Sequence, residues 1–188
     1  MDFSAFSHGQ IHSKLWLCEE IEKHITKPCN VAILGCWYNI LGFMMVTRNK
    51  DLYNYIDGID LNQDAITIAN KICDAWMIND DQKIKNQCYH VSNIEFYNYD
   101  FIINTSCEDM TSNKWYENIW DNKIVCLQTN NLTQEQVSKY QGWNIVNPNP
   151  TIEVFKNKYP MKEILFEGKK DFDYGDLKYS RYMLIGKK

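Results

Sequence analysis

The residues Asn104-Thr105-Ser106-Cys107-Glu108-Asp109-Met110 directly follow the largely apolar run Tyr99-Asp100-Phe101-Ile102-Ile103. An amide, two hydroxyls, a thiol and two carboxyls gathered beyond an apolar strand can hold an acceptor molecule and take its proton. Asn104 and Ser106 suit binding, and Glu108 or Asp109 suits general-base work. The same residues also suit the start of a helix. Asn104, Thr105 and Ser106 are capping types, and an acidic pair is favoured by the helix dipole. Cys107 has no histidine nearby in sequence to activate it, so it reads as a structural thiol.

A second constellation is Gly35-Cys36-Trp37-Tyr38-Asn39. Pyrophosphate recognition needs several bare backbone positions at a helix start, and this loop has one glycine. No Gly-Lys-Ser/Thr phosphate loop occurs either. A ligand without phosphates fits this bulky loop better than a dinucleotide or a nucleoside triphosphate. Trp37 and Tyr38 can stack on a ligand or offer a ring face to a positive charge. Asp60, followed by Leu61, closes the segment Tyr53–Asp60, where a carboxylate can accept both hydroxyls of a ribose; the alternative is a helix-capping Asp. His8 and His12 have the spacing of two helical metal ligands, but no Glu follows His8 in the zincin arrangement and no third ligand is evident. No metal is expected.

These groups need elements to position them. Residues 11–25 carry Ile11, Leu15, Leu17, Cys18, Ile21 and Ile25 at helical spacing, closed by Pro28. Residues 30–34 read as a buried parallel strand and residues 40–47 as a helix. Tyr53–Asp60 is a second strand. Asp64 to Met77 is a helix capped by Asn62, with a stripe at Ile66, Ala69, Ile72, Cys73 and Trp76. Further strands are expected at 87–91, 99–103 and 123–128, with a helix at 112–120. Asn147-Pro148-Asn149-Pro150 is a turn, and strands at 164–167 and 182–185 follow, joined by a loop holding Gly168, Asp171, Asp173 and Gly175. Strands alternating with helices predict an α/β, Rossmann-like doubly wound fold with a mostly parallel sheet and a C-terminal antiparallel hairpin. In such a sheet ligands bind beyond the strand carboxyl ends. That places the candidates at Gly35–Asn39, Asp60–Asn62, Asn104–Met110 and Thr129–Asn131.

Composition narrows the class. The chain has 188 residues, 45% hydrophobic and 23% charged, which suits one soluble domain over 1–188. Residues 1–28 form an N-terminal helical segment that can fold over the site. Net charge is −4, without the basic surplus of a chain that lives on phosphate contacts. Only Arg48 and Arg181 are arginines, and the wealth of Lys, Asn, Ile and Tyr reads as the product of an AT-rich genome, such as that of a virus or a streamlined bacterium. Seven cysteines without CxxC spacing, and no signal peptide, predict free thiols in a reducing cytoplasm. The longest apolar run, Ile40 to Val46, is too short for a membrane span.

Strand, single-glycine loop, helix, strand and Asp, without a phosphate cradle, resembles the class I S-adenosylmethionine-dependent methyltransferases. The segments Gly9-Gln10, Ser13-Lys14, Ile33 to Tyr38, Ile59-Asp60, Ile103 to Met110, Leu127-Gln128-x-Asn130 and Tyr179-x-Arg181-Tyr182-Met183 resemble one small methyltransferase-like family of viral and bacterial genomes, over nearly the whole chain. Cys36 and Asn39 stand where that family has more glycine, and Asp109 where it has His more often. The resemblance implies S-adenosylmethionine as cofactor, with Gly35, Cys36, Trp37, Tyr38, Asp60, Leu61 and Asn104 around it. It implies Asn104, Ser106, Glu108 and Asp109 as catalytic groups, and Lys14, Asn130, Tyr179 and Arg181 near the acceptor, with Gln10 and Ser13 beside them. So short a chain has little room for a recognition domain. The expected acceptor is a small molecule, ahead of a nucleic acid, or a larger one recognised through a partner protein or second subunit of a homo-oligomer. Two alternatives stand beside methyl transfer: aminocarboxypropyl transfer or cofactor cleavage, and a non-catalytic cofactor-binding module.

Overall fold

The structure is a computed structural model and describes residues 2–76, 83–140 and 145–188. Its elements are α1 (His8–Ile21), β1 (Cys29–Leu34), α2 (Ile40–Asn49), β2 (Tyr53–Asp60), α3 (Gln63–Trp76), β3 (Ile84–Cys88), β4 (Phe101–Asn104), α4 (Lys114–Glu117), β5 (Ile124–Asn130), α5 (Gln134–Tyr140), α6 (Ile152–Lys158), β6 (Glu163–Asp173) and β7 (Lys178–Lys187). Among the described residues the seven strands form one sheet in the order β3-β2-β1-β4-β5-β7-β6. β1 to β5 run parallel, and β7 is antiparallel to both β5 and β6. This is the mixed, mostly parallel sheet with a C-terminal hairpin that the sequence predicts.

Alternation along the strands builds the two cores. Val31 and Ile33 point to one face, where they pack with Leu17, Ile21, Met45 and Ile66 from α1, α2 and α3. Ala32 and Leu34 point to the other, with Ile102, Val125, Trp115 and Phe155. β1 is buried along its length except at Asn30, as a central parallel strand should be. The chain winds outward from β1 to β2 and β3, then returns to β4 on β1's other side. Strand order therefore reverses between β1 and β4, whose last residues, Leu34 and Asn104, are register partners. The loops beginning at Gly35 and Thr105 part at this level, opening a crevice at the carboxyl ends.

Several boundaries differ from expectation. α1 begins at His8, before Ile11, because Gly9, Ser13 and Lys14 are buried polar positions that break the apolar stripe. β3 lies at 84–88, not 87–91; it is an edge strand that buries only Ile84 and so lacks an apolar run. Thr129 and Asn130 belong to β5 itself, which pairs with β7 as far as Arg181. Tyr179 and Arg181 lie within β7, and Gly168, Asp171 and Asp173 lie within β6, not in a loop. The hairpin is extended by pairs such as Phe172 with Tyr179, while the lysines and aspartates of edge strand β6 mimic loop composition. The helix expected at 112–120 is the single turn of α4. The short helices α5 and α6 have no periodic stripe to announce them; Phe155 is the buried residue of α6. In α3, Asn62 caps as expected, its side chain accepting from the Asp64 and Ala65 amides at 3.0 and 3.1 Å. Ala65 joins Ile66, Ala69 and Cys73 inside, while Trp76 is exposed and meets Phe43 edge-on. Met77, expected in that helix, and Trp143 lie outside the described residues.

Candidate active site

The loop after β1 is shaped by three residues with positive φ: Gly35 (61°), Trp37 (51°) and Asn39 (49°). Asn can adopt this region at modest cost; a bulky Trp there is an outlier. Two hydrogen bonds from the end of β2 hold the loop. The Cys36 amide donates to Ile59 O at 3.1 Å, and the Trp37 amide to Asp60 Oδ2 at 2.8 Å. Asp60 Oδ1 accepts the Asn62 amide at 2.9 Å. Asn39 ends the loop and starts α2. Its Oδ1 accepts the Gly42 amide at 3.1 Å, while Nδ2 donates to Asn86 Oδ1 at 2.7 Å. The Cys36 thiol is buried and pushed well up by that burial, with Asp60 adding to the effect.

After β4, buried Asn104 accepts the Ser106 amide at 2.9 Å through Oδ1. Cys107–Asp109 then form one tight turn, with the Asp109 amide on Ser106 O at 3.0 Å. Asn104 thus shapes the turn from beneath and lines none of the cavities described below. Cys107 is fully buried; burial, then Glu108 and Asp109, raise its thiol well above the ordinary value.

Two cavities open on this crevice. The smaller, about 310 Å³, is lined by Gly35, Trp37, Asp60, Leu61, Val91 and Met110, with His90, Ser92, Thr111, Ser112 and Trp115. The larger, about 490 Å³, is lined by His8, Gln10, Glu108, Asn130, Tyr174, Tyr179 and Arg181 and by parts of the first helical turn and α5. Trp37, Ser106 and Asp109 belong to both walls, so the cavities meet there. A narrow cleft of about 30 Å³ beside them is lined by Gln10, Lys14, Gly35, Cys36, Trp37 and Tyr38. The N-terminal segment roofs the larger cavity. The Asp2 amide donates to the Tyr38 hydroxyl at 2.8 Å, and His8 Nδ1 is hydrogen-bonded to the Tyr174 hydroxyl at 2.9 Å. The His12 ring packs tilted against that of His8, centroids 3.7 Å apart. Among the described residues, no group of three or more His, Cys, Asp or Glu could hold a metal ion.

The floor of the site holds charges at unusual cost. Lys14 donates to Gln10 Oε1 at 2.6 Å, and burial together with nearby Arg181 pushes its ammonium down to about 7. Glu108 is buried, with Oε1 accepting from Asn130 Nδ2 and Oε2 unpartnered. Desolvation raises its carboxyl, against the pull of Arg181. Asp109 opens to the cavities, yet the protein around it strips enough water to raise its carboxyl too. Burial thus raises both carboxyls above the ordinary carboxylate range, a usual mark of acid–base sites.

The structure brings together most of the residues singled out in the sequence: Gly35, Trp37, Asp60, Leu61, Ser106 and Asp109 at one cavity, Glu108, Asn130, Tyr179 and Arg181 at the other. Lys14, Cys36 and Tyr38 stand at the narrow cleft between α1 and the Gly35 loop. Sequence reasoning missed the wall formed by His90, Val91 and Ser92, because β3 was placed three residues too late. It also missed Tyr174, and it read His8 only as a candidate metal ligand, because the two lie far apart in the chain.

No protein-family model matches the sequence, and no curated protein does. Many solved structures share the fold. The YcgJ protein from Bacillus subtilis superposes with a TM-score of 0.71 at 7% identity, covering 92% of this chain and 98% of that one. Magnesium protoporphyrin IX methyltransferase from Synechocystis PCC 6803, solved with bound SAH, gives 0.64 at 8% identity, with 94% and 84% covered. Geranyl diphosphate C-methyltransferase from Streptomyces coelicolor A3(2), in complex with Mg2+, geranyl diphosphate and S-adenosyl-L-homocysteine, gives 0.64 at 10% identity, with 95% and 82% covered. With strand order, switch point and these likenesses in agreement, the chain has the fold of the class I S-adenosylmethionine-dependent methyltransferases.

Proposed function

We propose that the protein is a methyltransferase that uses S-adenosylmethionine and acts on a small-molecule acceptor. The observation that carries this reading is the meeting of two cavities at Trp37, Ser106 and Asp109, one of them walled by Gly35 and Asp60 at the switch point. The smaller cavity fits the cofactor. A carboxylate has about four lone-pair sites, so Asp60 can hold ribose hydroxyls beside its two amides. Gly35 leaves room that a Cβ would narrow to 3.0 Å from Met110 Cε. Leu61 and Val91 offer apolar contact to a base, and the Trp37 ring can face a sulfonium.

When bound, the cofactor supplies an electrophilic methyl group. The chain does the rest by placement, which is the main requirement of such a displacement. Ser106 and Asp109 orient the acceptor at the junction. Asp109, with its raised carboxyl, accepts a proton where the acceptor is neutral. Phe3–Phe6 and α1, tied down through Tyr38 and Tyr174, keep water from the larger cavity. We assign the cofactor's surroundings to Gly35, Cys36, Trp37, Tyr38, Asp60 and Leu61, with Asn104 holding the Ser106 turn. Net charge of −4 ranks a small acceptor above nucleic acid. All seven cysteines are free, which suits a reducing cytoplasm. Among the described residues no helix is long and apolar enough to cross a membrane.

Calorimetry with S-adenosylmethionine and S-adenosylhomocysteine tests the reading; absence of binding by both at millimolar ligand rejects it. Incubation with methyl-labelled cofactor and a small-molecule extract then identifies the product. S-adenosylhomocysteine supports methyl transfer, whereas methylthioadenosine supports aminocarboxypropyl transfer or cleavage.

A further inference from the structure

The two arginines of the chain are used in contrasting ways. Arg48, at the surface, grips Glu22 side-on, with Nε to Oε1 at 2.8 Å and Nη2 to Oε2 at 3.1 Å. This two-nitrogen edge matches a carboxylate and gives a fixed planar fork. Arg181 is buried at 4% exposure in the wall of the larger cavity. Its Nη1 donates to Thr105 O at 3.0 Å, its one side-chain hydrogen bond among the described residues. Nε is buried without a partner, and Nη2, on the same side-on edge, makes no hydrogen bond among the described residues. The edge that Arg48 closes on Glu22 is empty in Arg181.

The acidic residues of the same cavity leave it empty. No ion pair joins Arg181 to Glu108, Asp109 or Asp2 among the described residues. Glu108 is held aside by Asn130, and desolvation keeps it and Asp109 closer to neutral than surface carboxylates. The backbone that carries the guanidinium is fixed, because β7 is paired on both sides, with Arg181 opposite Asn130 of β5 and Lys170 of β6. A buried cation without a carboxylate in ion-pair contact is costly, and an unsatisfied buried donor calls for an explanation. The walls also carry three aromatic rings, Trp37, Tyr174 and Tyr179, with Tyr174 and Tyr179 stacked 6.3 Å apart.

We propose that the larger cavity takes a small molecule bearing a carboxylate on or near a flat ring, with the carboxylate against the Arg181 guanidinium and the ring among Trp37, Tyr174 and Tyr179. Calling that molecule the methyl acceptor rests on the function proposed above; the carboxylate site itself does not.

The test uses benzoate, benzamide and benzylamine, which share a ring and differ in charge, titrated into the full chain and followed by ligand-observed NMR. Benzoate should bind at least about tenfold more tightly than the other two. Arg181→Gln should abolish that preference. Arg181→Lys, which keeps the charge and loses the fork, should reduce it. Equal binding of the three probes to the wild-type chain, or binding of none at millimolar concentration, overturns the proposal without any variant, so a misfolded R181Q leaves it decidable. Repeating the titration with saturating S-adenosylhomocysteine should leave benzoate bound; displacement would put the anion in the cofactor's own place and overturn it. Failure of S-adenosylhomocysteine to bind, with the benzoate preference intact, would remove the methyltransferase reading and leave the carboxylate site standing.

Discussion

Asp60 accepts the Trp37 amide at 2.8 Å, and Trp37 is held at φ 51°. A left-handed conformation costs a non-glycine residue about 1–2 kcal/mol, so something must hold it. The carboxylate does so, and with its second oxygen it fixes the Asn62 amide. One side chain thereby shapes both loops that flank the smaller cavity. Asp60→Ala should lower stability by about 1–3 kcal/mol, the usual result of leaving a donor unsatisfied. It should also weaken S-adenosylhomocysteine binding by about tenfold or more. Calorimetry and urea melts measure both, and an Asp60→Ala chain that binds like wild type would refute the assignment.

Asn39 makes a separate claim on the same loop. It sits at φ 49°, caps α2 through Gly42 and reaches Asn86 across β2. Gly58 has no Cβ because one there would collide with Asn39 and Asn86. Asn39→Ala loses the cap and carries the left-handed cost; Asn39→Gly escapes the conformational part. The alanine variant should be less stable than the glycine variant by about 1–2 kcal/mol. Equal melting curves for the two would show that the backbone conformation is not what Asn39 is selected for.

What could be read from the sequence follows from where each signal originates. Tyr53–Asp60 was legible at both ends because a buried strand bounded by a polar turn writes its pattern locally. Gly35 and Asp60 were legible as a pair for the same reason: Gly35 directly follows β1 and Asp60 is the last residue of β2. The hairpin was truncated because β6 is an edge strand whose lysines and aspartates look like loop residues. The roles of Arg181, Asn130 and Glu108 depend on the register of β5 against β7 and on a turn after β4, which no local pattern encodes. Gly9 is likewise silent in sequence. It is needed because Tyr179, far along the chain, lies where a side chain would project.

The buried charges make stability depend on pH in two opposed ways. Burial, with Arg181 nearby, moves Lys14 from 10.5 down to about 7. The folded chain gives up a proton that the unfolded chain keeps, so this contribution is full above pH 10.5 and is lost as pH falls through about 7. Glu108 moves the other way, from 4.5 up to about 7, chiefly by desolvation. Its contribution is full below pH 4.5 and is lost as pH rises through about 7. Lys14→Met should therefore flatten the rise in stability on the alkaline side of neutrality. Glu108→Gln should flatten the fall on the acid side. Urea melts across pH read both slopes, and a Lys14→Met chain that keeps the alkaline rise would contradict the assignment.

Asp109 and Ser106 are the polar side chains shared by the two cavities, and their placement predicts a division between binding and turnover. Neither makes a side-chain hydrogen bond that holds the fold together among the described residues, so changing them should spare stability. Asp109→Asn removes the proton acceptor and keeps the shape. For a neutral acceptor, turnover should fall by about 10²–10⁴, the usual contribution of a positioned acid or base. S-adenosylhomocysteine affinity should stay within a few-fold, because Asp60, Leu61 and Gly35 are untouched. Since desolvation raises the Asp109 carboxyl, the acid limb of the wild-type rate profile should lie above the 3.8 of an ordinary aspartate. That limb should disappear in Asp109→Asn. Should the limb persist with turnover unchanged, the proton would have to leave by another group, and Glu108, which lines the larger cavity and whose Oε2 has no hydrogen-bond partner, is the next to substitute.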